Sequence, residues 1–387
     1  MTVESKPRLS KKLLLFTLIG ILTLVAYFIY FVGTVNIVDE IRKVNLYYYA
    51  LAFVAFLVSV FFSTLAWRSL LSNLSIKVSV GTALLFMWTG LFFDATIPDP
   101  GWSGDLSKAY MLSKASNLNC ARIVATVVGQ KIIGLAITVI DLVLGLILLS
   151  RNYTLPGLVL IFIAVVSFIS VLSLFVLVYL SAKPAATKRI LDWLIQLALI
   201  LRRGRWDPTD FRLKAEEMLD TYHENIRVLA SNRKALVRPI VLSFTSWAFD
   251  VSITFLTFAS LHYAVPVDTV LIVYALTGSL QAVGVSFFGF TELIMSGSYT
   301  VLNIPPPIGL SATLLARVVT LWFKLAVAYF AFQWTGTKVL SYRKSPEQVG
   351  DVSCPSGNEQ PGSTSTSNYA DRRKTALTNI EREGGKA

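Results

Sequence analysis

A broken apolar stretch, TGLFFDATIPDPGWSGDLSKAYMLSKASNLNCARIVATVVGQK, covers residues 89–131 and decides the fold of this chain. It begins as an apolar helix, is interrupted between Pro98 and Gly104, and returns to an apolar run that holds Lys131. In hydrocarbon, an unpaired backbone group is costly, and a charge at the bilayer centre costs at least ~2.5 kcal/mol. We therefore expect this stretch to face protein or a water-filled cavity and to form half of a binding site.

The composition is that of a polytopic membrane protein. The 387 residues are 54% hydrophobic and 15% charged, with a mean hydropathy of +0.62, whereas a soluble domain is about 25% charged. The net charge of +12 comes from basic residues beside apolar spans, which predicts contact with anionic lipid headgroups and no nucleic acid partner. Two distant cysteines form no CxxC or His/Cys cluster, so we expect no metal site of that type and no cofactor.

Apolar segments predict an all-α protein with about six full spans and two broken re-entrant hairpins, about eight hydrophobic segments in all. The predicted spans are 13–33, 46–66, 123–149, 157–180, 240–263 and 309–334. The predicted hairpins are 80–116 and 267–303. Residues 1–12 precede this transmembrane domain (13–337), and the polar Ser/Gly/Pro-rich residues 338–387 predict a disordered tail.

Charge bias predicts the orientation. The segment 181–238 holds 12 Lys/Arg against 7 Asp/Glu, so we expect it in the cytoplasm, with both termini on the same side of a plasma membrane. Within it, residues 190–201 are too short to span and are expected to lie in the interface. Apolar residues at spacings of three and four from 211 to 229 predict an amphipathic helix, which would pack on its own bundle or bind a partner.

The two halves share a pattern. Each has a span, a segment broken by glycine or proline that ends in an acid, and a span with a buried base. Asp105 precedes Lys131 by 26 residues, and Glu292 precedes Arg317 by 25. Because the two hairpins would enter from opposite sides, the pattern indicates an inverted repeat, a recurrent transporter design.

Charged residues inside the apolar segments are the predicted substrate-binding residues: Asp94, Asp99, Asp105, Lys108, Lys131, Glu292, Arg317 and Lys324. We expect one acid and one base from each half to meet near the bilayer middle. The alternative is that they form structural ion pairs, within a half or across halves. Arg317 and Lys324 are seven residues apart and therefore share a helix face. The alternative for Lys324 is that its side chain extends to the membrane interface. Asp141 and Asp250 are less informative, because each could be protonated or hydrogen-bonded.

The sequence resembles a known family at several motifs. Trp67-Arg68, GLFFDATIPDPGWSGDLSKAYML, GVSFFGFTELIMSGSY and LLARVVTLWF resemble the flippase-like proteins that share the transmembrane region of lysylphosphatidylglycerol synthetase, the multiple peptide resistance factor. The family's Pro-x-Gly-Gly-Asp/Glu with Arg-Ala is similar to Pro100 to Asp105 with Lys108-Ala109. Its second motif, Pro-x-Gly-x-Gly-x-x-Glu, is matched at two glycines and at Glu292 but lacks the proline. Its Glu-Arg is replaced by Gln130-Lys131, so this chain looks like a divergent, stand-alone archaeal-type member.

The resemblance implies a transporter of lipid or lipid-linked sugar that binds a membrane lipid or polyprenyl-linked substrate. Three function classes remain open from the sequence. The first is this flippase-like transporter, which is not an enzyme. The second is a membrane-embedded transferase in which Asp94, Asp99 and Asp105 hold a divalent metal. The third is a non-catalytic partner of an envelope-synthesis enzyme that docks through residues 181–238; a homo-oligomer is also compatible.

The topology prediction can be tested by cysteine labelling in a variant whose native cysteines are replaced by serine. We expect Ser107→Cys to react only from the cytoplasm and Ser150→Cys to react from outside intact cells. The reason is that the basic segment 181–238 is expected to stay on the cytoplasmic side. Labelling of Ser107→Cys from outside would mean that residues 80–97 cross the bilayer, and the re-entrant arrangement would then be wrong.

Overall fold

A computed structural model describes residues 41–97, 101–152, 157–201, 209–282 and 289–342. The predicted N-terminal segment 1–12, the predicted span 13–33 and nearly all of the predicted tail lie outside these ranges.

Throughout the described residues the secondary structure is helical, with no strand, which confirms the predicted all-α class. In chain order the helices are α1 Leu46–Asn73, α2 Val80–Thr96, α3 Ser103–Ser116, α4 Cys120–Asn152, α5 Gly157–Ala182, α6 Pro184–Leu201, α7 Thr209–Ser231, α8 Arg233–Ser260, α9 Val267–Ala282, α10 Phe290–Val301, α11 Pro306–Arg317 and α12 Lys324–Tyr342. A π-helical segment, Val318–Phe323, joins α11 to α12.

Five segments of the described chain are long and apolar enough to cross a membrane: Leu46–Asn73, Cys120–Leu148, Ile161–Ala182, Arg233–Ser260 and Pro306–Thr335. They correspond to five of the six predicted spans. Their outer faces are apolar, as on α5, where Phe168 is 68% exposed and Phe175 is 64% exposed. Such a surface is unfavourable in water and is matched by lipid, so the chain is a multi-pass membrane protein.

One predicted span boundary is wrong, and another predicted span is interrupted inside. The predicted span 240–263 belongs to α8, which begins at Arg233 because Asn232 caps it by accepting a hydrogen bond from the Ala235 amide (3.2 Å). Pro239 lies inside this helix and does not start it. The predicted span 309–334 is not one uniform α-helix, since the wider π turns of Val318–Phe323 interrupt it.

The segment between α5 and α8 is also more helical than predicted. The apolar run 190–201 is the second part of α6, which starts at Pro184, a residue suited to the first turn of a helix. The predicted amphipathic helix over 211–229 is confirmed as α7.

The first broken segment forms two helices, α2 and α3, that pack against each other. Helix α2 ends at Thr96, and Ile97 is extended (φ −106°, ψ 116°), as expected for a residue that precedes a proline. The two helices approach most closely at Gly90 and Gly104, where each glycine faces the backbone of the other. Only glycine permits this approach, so the glycine spacing sets the geometry of the pair.

The second broken segment also forms two helices, α9 and α10. Gly289 has a positive φ of 91°, a conformation that favours glycine. The Glu292 side chain then caps α10 by accepting a hydrogen bond from the Gly289 amide (2.7 Å). The break therefore places a carboxylate at the beginning of a helix inside the bundle.

Replacing Gly90 tests the close approach of α2 and α3. A Cβ at Gly90 would lie 2.9 Å from the Gly104 carbonyl oxygen, so we expect Gly90→Ala to destabilise the protein by about 1–3 kcal/mol. The control is Gly81→Ala on the same helix, where a Cβ would meet nothing within 4 Å. Thermal unfolding of the purified proteins in detergent measures both, and equal midpoints would contradict the packing role of Gly90.

Candidate functional site

Asp105 on α3 is the centre of the first charged cluster. Its Oδ1 lies 2.7 Å from Lys108 Nζ, and its Oδ2 lies 3.0 Å from Lys131 Nζ on α4. Lys131 also donates a hydrogen bond to the Gly101 carbonyl oxygen (2.7 Å), at the positive-φ turn before α3. The structure therefore shows the within-half ion pair of Asp105 with Lys131, which was the alternative expectation, and adds Lys108 as a second cation.

Aromatic rings and an amide support these two lysines. Lys131 Nζ lies 4.2 Å from the centre of the Trp102 ring, and Lys108 Nζ lies 5.3 Å from that of Trp67, within cation–π range. Lys108 also donates to Gln130 Oε1 (3.1 Å). Among the described residues, two ammonium groups lie on the one carboxylate of Asp105.

The other predicted acids of the first half have different positions. Asp94 Oδ1 accepts a hydrogen bond from the Gly104 amide (2.9 Å), which ties the end of α2 to the start of α3. Asp99 lies outside the described residues. The described part of the chain contains no group of three His, Cys, Asp or Glu side chains placed to hold a metal ion.

Glu292 and Arg317 form the charged pair of the second half. Arg317 Nε donates to Glu292 Oε1 at 2.6 Å, and the Glu292 side chain is only 1% exposed. Because the other carboxylate oxygen caps α10, both oxygens of Glu292 are used. This arrangement is the within-half ion pair that was the alternative expectation, and it fixes Arg317 by one edge of its guanidinium group.

Arg317 and Lys324 line one cavity of about 300 Å³, which we call the Arg317 cavity. Both ends of the π-helical segment thus face the same space, as their spacing predicted. Arg317 and Lys324 form its cationic side with Thr320 between them along the chain, and the acid Asp250 on α8 lies in its wall. π-Helical segments occur often at functional sites, because the extra residue per turn redirects side chains.

Lys324 differs from the other buried cations. No carboxylate of the described residues lies within ion-pair distance of its ammonium group. Asp94 and Asp250 attract it from farther away, and Arg317 repels it. Its placement in the cavity wall also means that Lys324 does not extend to the membrane interface, the alternative that its sequence position allowed.

Lys131 lines a second cavity of about 290 Å³, which we call the Lys131 cavity. The two cavities share a wall formed by Ser63, Ser246, Asp250, Tyr274 and Gly278. The acid–base pairs therefore form within each half, not between the halves. They lie beside adjoining cavities and do not form one four-residue cluster.

Asp250 in this shared wall has more contacts than the sequence predicts. Its carboxylate lies near the hydroxyls of Ser59 of α1 and Tyr274 of α9, next to the 3.1 Å contact between the hydroxyls of Ser59 and Ser246. The available sequence signal was an acid at mid-span among hydroxyl side chains. Its partners could not be identified from sequence, because the Ser59–Ser246 contact joins residues 187 positions apart.

Asp141, the other uninformative acid, accepts a hydrogen bond from Trp247 Nε1 (3.2 Å). Its side chain lies where α4 meets α8. This contact is consistent with the predicted hydrogen bond between helices.

The Glu292–Arg317 pair should contribute strongly to stability. Glu292→Gln leaves Arg317 without its counter-charge, which typically costs about 3–5 kcal/mol at a buried site. The control is Glu216→Gln in an exposed pair with Arg212 (3.0 Å), where about 1 kcal/mol or less is expected. Unfolding of the purified proteins in detergent measures both variants; similar losses would show that the buried pair is not a stability element.

Comparisons with known proteins agree with the resemblance noted in the sequence. The UPF0104 membrane protein MJ1595 of Methanocaldococcus jannaschii is 26% identical over 325 residues, which cover 82% of this chain and 93% of that protein. A UPF0104 membrane protein of Methanothermobacter thermautotrophicus is 23% identical, covering 83% and 95%, respectively. PH1989 of Pyrococcus horikoshii is also 23% identical, covering 81% and 93%.

No solved structure matches this chain. The family model described as the lysylphosphatidylglycerol synthase TM region matches residues 13–328, most of the chain. The protein therefore belongs to the family of the lysylphosphatidylglycerol synthase TM region.

Proposed function

We propose that this protein is a flippase-like lipid transporter that holds an anionic headgroup, such as a phosphate, between Arg317 and Lys324. The observation that carries the proposal is the position of Lys324: it lines a cavity of about 300 Å³ and has no ion-pair partner among the described residues. Arg317 lines the same cavity. A phosphate in this space would supply the missing counter-charge.

The energetic cost of placing Lys324 inside the membrane supports an anionic ligand. A lysine at the centre of a membrane helix costs about 2.5–3.5 kcal/mol on insertion scales. Lys324 carries that cost and also the repulsion from Arg317. Such a cost is retained at functional sites more often than at structural ones, because a structural lysine can be replaced by an apolar residue.

Arg317 is suited to the geometry of a phosphate. Its Nε is used by Glu292 (2.6 Å), which orients the guanidinium group. Among the described residues its terminal nitrogens form no hydrogen bond or ion pair, so they can form two parallel hydrogen bonds to one oxyanion. Glu292 thus acts as a positioning residue for the headgroup clamp.

The apolar surface makes a lipid the expected substrate. Helices with exposed apolar side chains surround the charged cavities, so an acyl or isoprenoid chain can stay in the bilayer while the headgroup enters. The name of the matching family refers to a synthase of lysylphosphatidylglycerol, which is itself a phospholipid. We extend only the substrate class, membrane lipid or polyprenyl-linked compound, to this chain.

The two adjoining cavities suggest the route. In this proposal the headgroup passes between the Lys131 cavity and the Arg317 cavity across the wall that contains Asp250 and Tyr274. Broken helices on either side supply polar groups at membrane depth, as in transporters with inverted repeats. The re-entrant hairpins, the plasma membrane location and the cytoplasmic termini are part of the same proposal.

Transport measured in proteoliposomes tests the headgroup clamp. Using fluorescent phosphatidylglycerol as the probe, we expect Lys324→Gln to lower the scrambling or flipping rate at least tenfold, equivalent to about 1.4 kcal/mol. Its thermal stability should be unchanged or higher, since an uncompensated buried cation is removed. Arg317→Lys should fold, because it keeps the charge beside Glu292, and should lose a similar factor in rate because it loses the bidentate geometry.

The matched control is Lys188→Gln, which removes an exposed lysine paired with Asp220. This variant should transport like the wild type. The clamp hypothesis is rejected if Lys324→Gln and Arg317→Lys both transport at the wild-type rate. Recovery of a probe lipid with a chemically altered headgroup would favour a transferase instead.

A further inference from the structure

An apolar groove separate from the charged cavities lies between α4, α5, α6 and α7. Its volume is about 450 Å³, within the range of small-molecule sites. The lining is almost entirely aliphatic, with Val128 of α4, Leu177 of α5, Leu191 of α6 and Met218 of α7 as representative residues. We propose that this groove binds one alkyl chain of an anionic membrane lipid.

Hydrogen bonds hold the helices around the groove in place. The buried His223 of α7 contacts the Ser181 carbonyl oxygen (3.1 Å) and the Thr187 hydroxyl (3.2 Å). The neighbouring Tyr222 hydroxyl lies 2.8 Å from the Ser181 hydroxyl. These contacts hold α7 against the junction of α5 and α6, so the space between the helices is maintained by hydrogen bonds.

The occupant is argued from the surroundings of the groove. Helix α5, which supplies Leu177 and Leu180, also presents exposed apolar side chains such as Phe175 and Val178 beside them. The groove is thus next to the surface that faces lipid chains. An alkyl chain can enter it without leaving an apolar environment.

The charge of the segment that supplies much of the lining indicates the headgroup class, because residues 181–238 hold 12 Lys/Arg against 7 Asp/Glu. Lys183 and Arg189 are both exposed and lie within two residues of the lining residues Ser181, Thr187 and Ile190 along the chain. Basic side chains beside a membrane attract anionic headgroups. Charge and apolar lining therefore select a lipid with a negatively charged headgroup over a zwitterionic one.

Trp102 separates the groove from the charged cluster. Its ring lines the groove and also lies 4.2 Å below Lys131 Nζ. The alkyl-chain site and the headgroup clamp at Arg317 and Lys324 are therefore different places. Binding in the groove does not depend on the proposed transport, and the two proposals can fail separately.

Photocrosslinking tests the groove with the full-length protein in phosphatidylcholine nanodiscs. The probe is phosphatidylglycerol with a diazirine at the end of one chain, and mass spectrometry maps the labelled residues. We expect labels on groove residues such as Val128, Leu191 and Met218. Ala215→Trp, which places an indole in the groove, should reduce these labels at least fivefold.

Leu213→Trp is the matched control, because Leu213 is 63% exposed on the same helix and does not line the groove. It should label like the wild type. If Ala215→Trp does not purify as a single species, Met218→Gln, which makes the lining polar without adding bulk, should give the same reduction. The double variant Lys183→Gln/Arg189→Gln should lower labelling by phosphatidylglycerol at least threefold relative to a phosphatidylcholine probe.

Two results would overturn the proposal. One is undiminished groove labelling in both Ala215→Trp and Met218→Gln. The other is labelling confined to lipid-facing residues of α5, such as Phe168 and Phe175. Neither result depends on a transport measurement.

Discussion

The pairing of Asp105 with Lys108 and Lys131 is the interaction on which the first half of the structure depends. A charge between membrane-spanning helices must be neutralised by protein, because lipid chains offer no counter-charge or hydrogen bond. Asp105 reaches Lys108 on its own helix (2.7 Å), and it reaches Lys131 (3.0 Å) because α3 packs against both α2 and α4. The Gly90–Gly104 approach allows this packing, so the broken backbone and the buried charges require each other.

The second half neutralises its buried charge with a different arrangement. Glu292 neutralises Arg317 (2.6 Å) and caps α10 with its other oxygen. One carboxylate serves one cation here, and Lys324 is left in the cavity wall. Among the described residues, each half has two basic side chains within its helices, Lys108 and Lys131 in the first and Arg317 and Lys324 in the second. The difference is that both bases of the first half touch Asp105, whereas in the second half Lys324 faces the cavity.

The wall between the two cavities connects the halves. Asp250 belongs to α8, and the neighbouring hydroxyl residues Ser59 and Tyr274 belong to α1 and α9. The 3.1 Å contact between Ser59 and Ser246 holds α1 against α8 at the same level. Hydroxyl side chains at a helix contact allow close approach and satisfy polar groups at membrane depth. The wall is thus polar although it lies in the middle of apolar helices.

The sequence by itself determined the class, the spans and the charged residues of each half. Apolar length predicted the five spans now seen, the acid-then-base pattern repeats at 26 and 25 residues, and the break between Pro98 and Gly104 indicated that one helix ends and another begins there. These features are local, because they depend on helix length, on proline and glycine, and on the cost of burying a charge. The tertiary structure decided which side chains share a cavity. Asp250 and Lys324 could not be given partners from the sequence, since helix contacts across more than 180 positions set their surroundings. The prediction that all four charges meet was wrong for the same reason. Neutralising each charge needs only one close partner, and the nearest one lies in the same half.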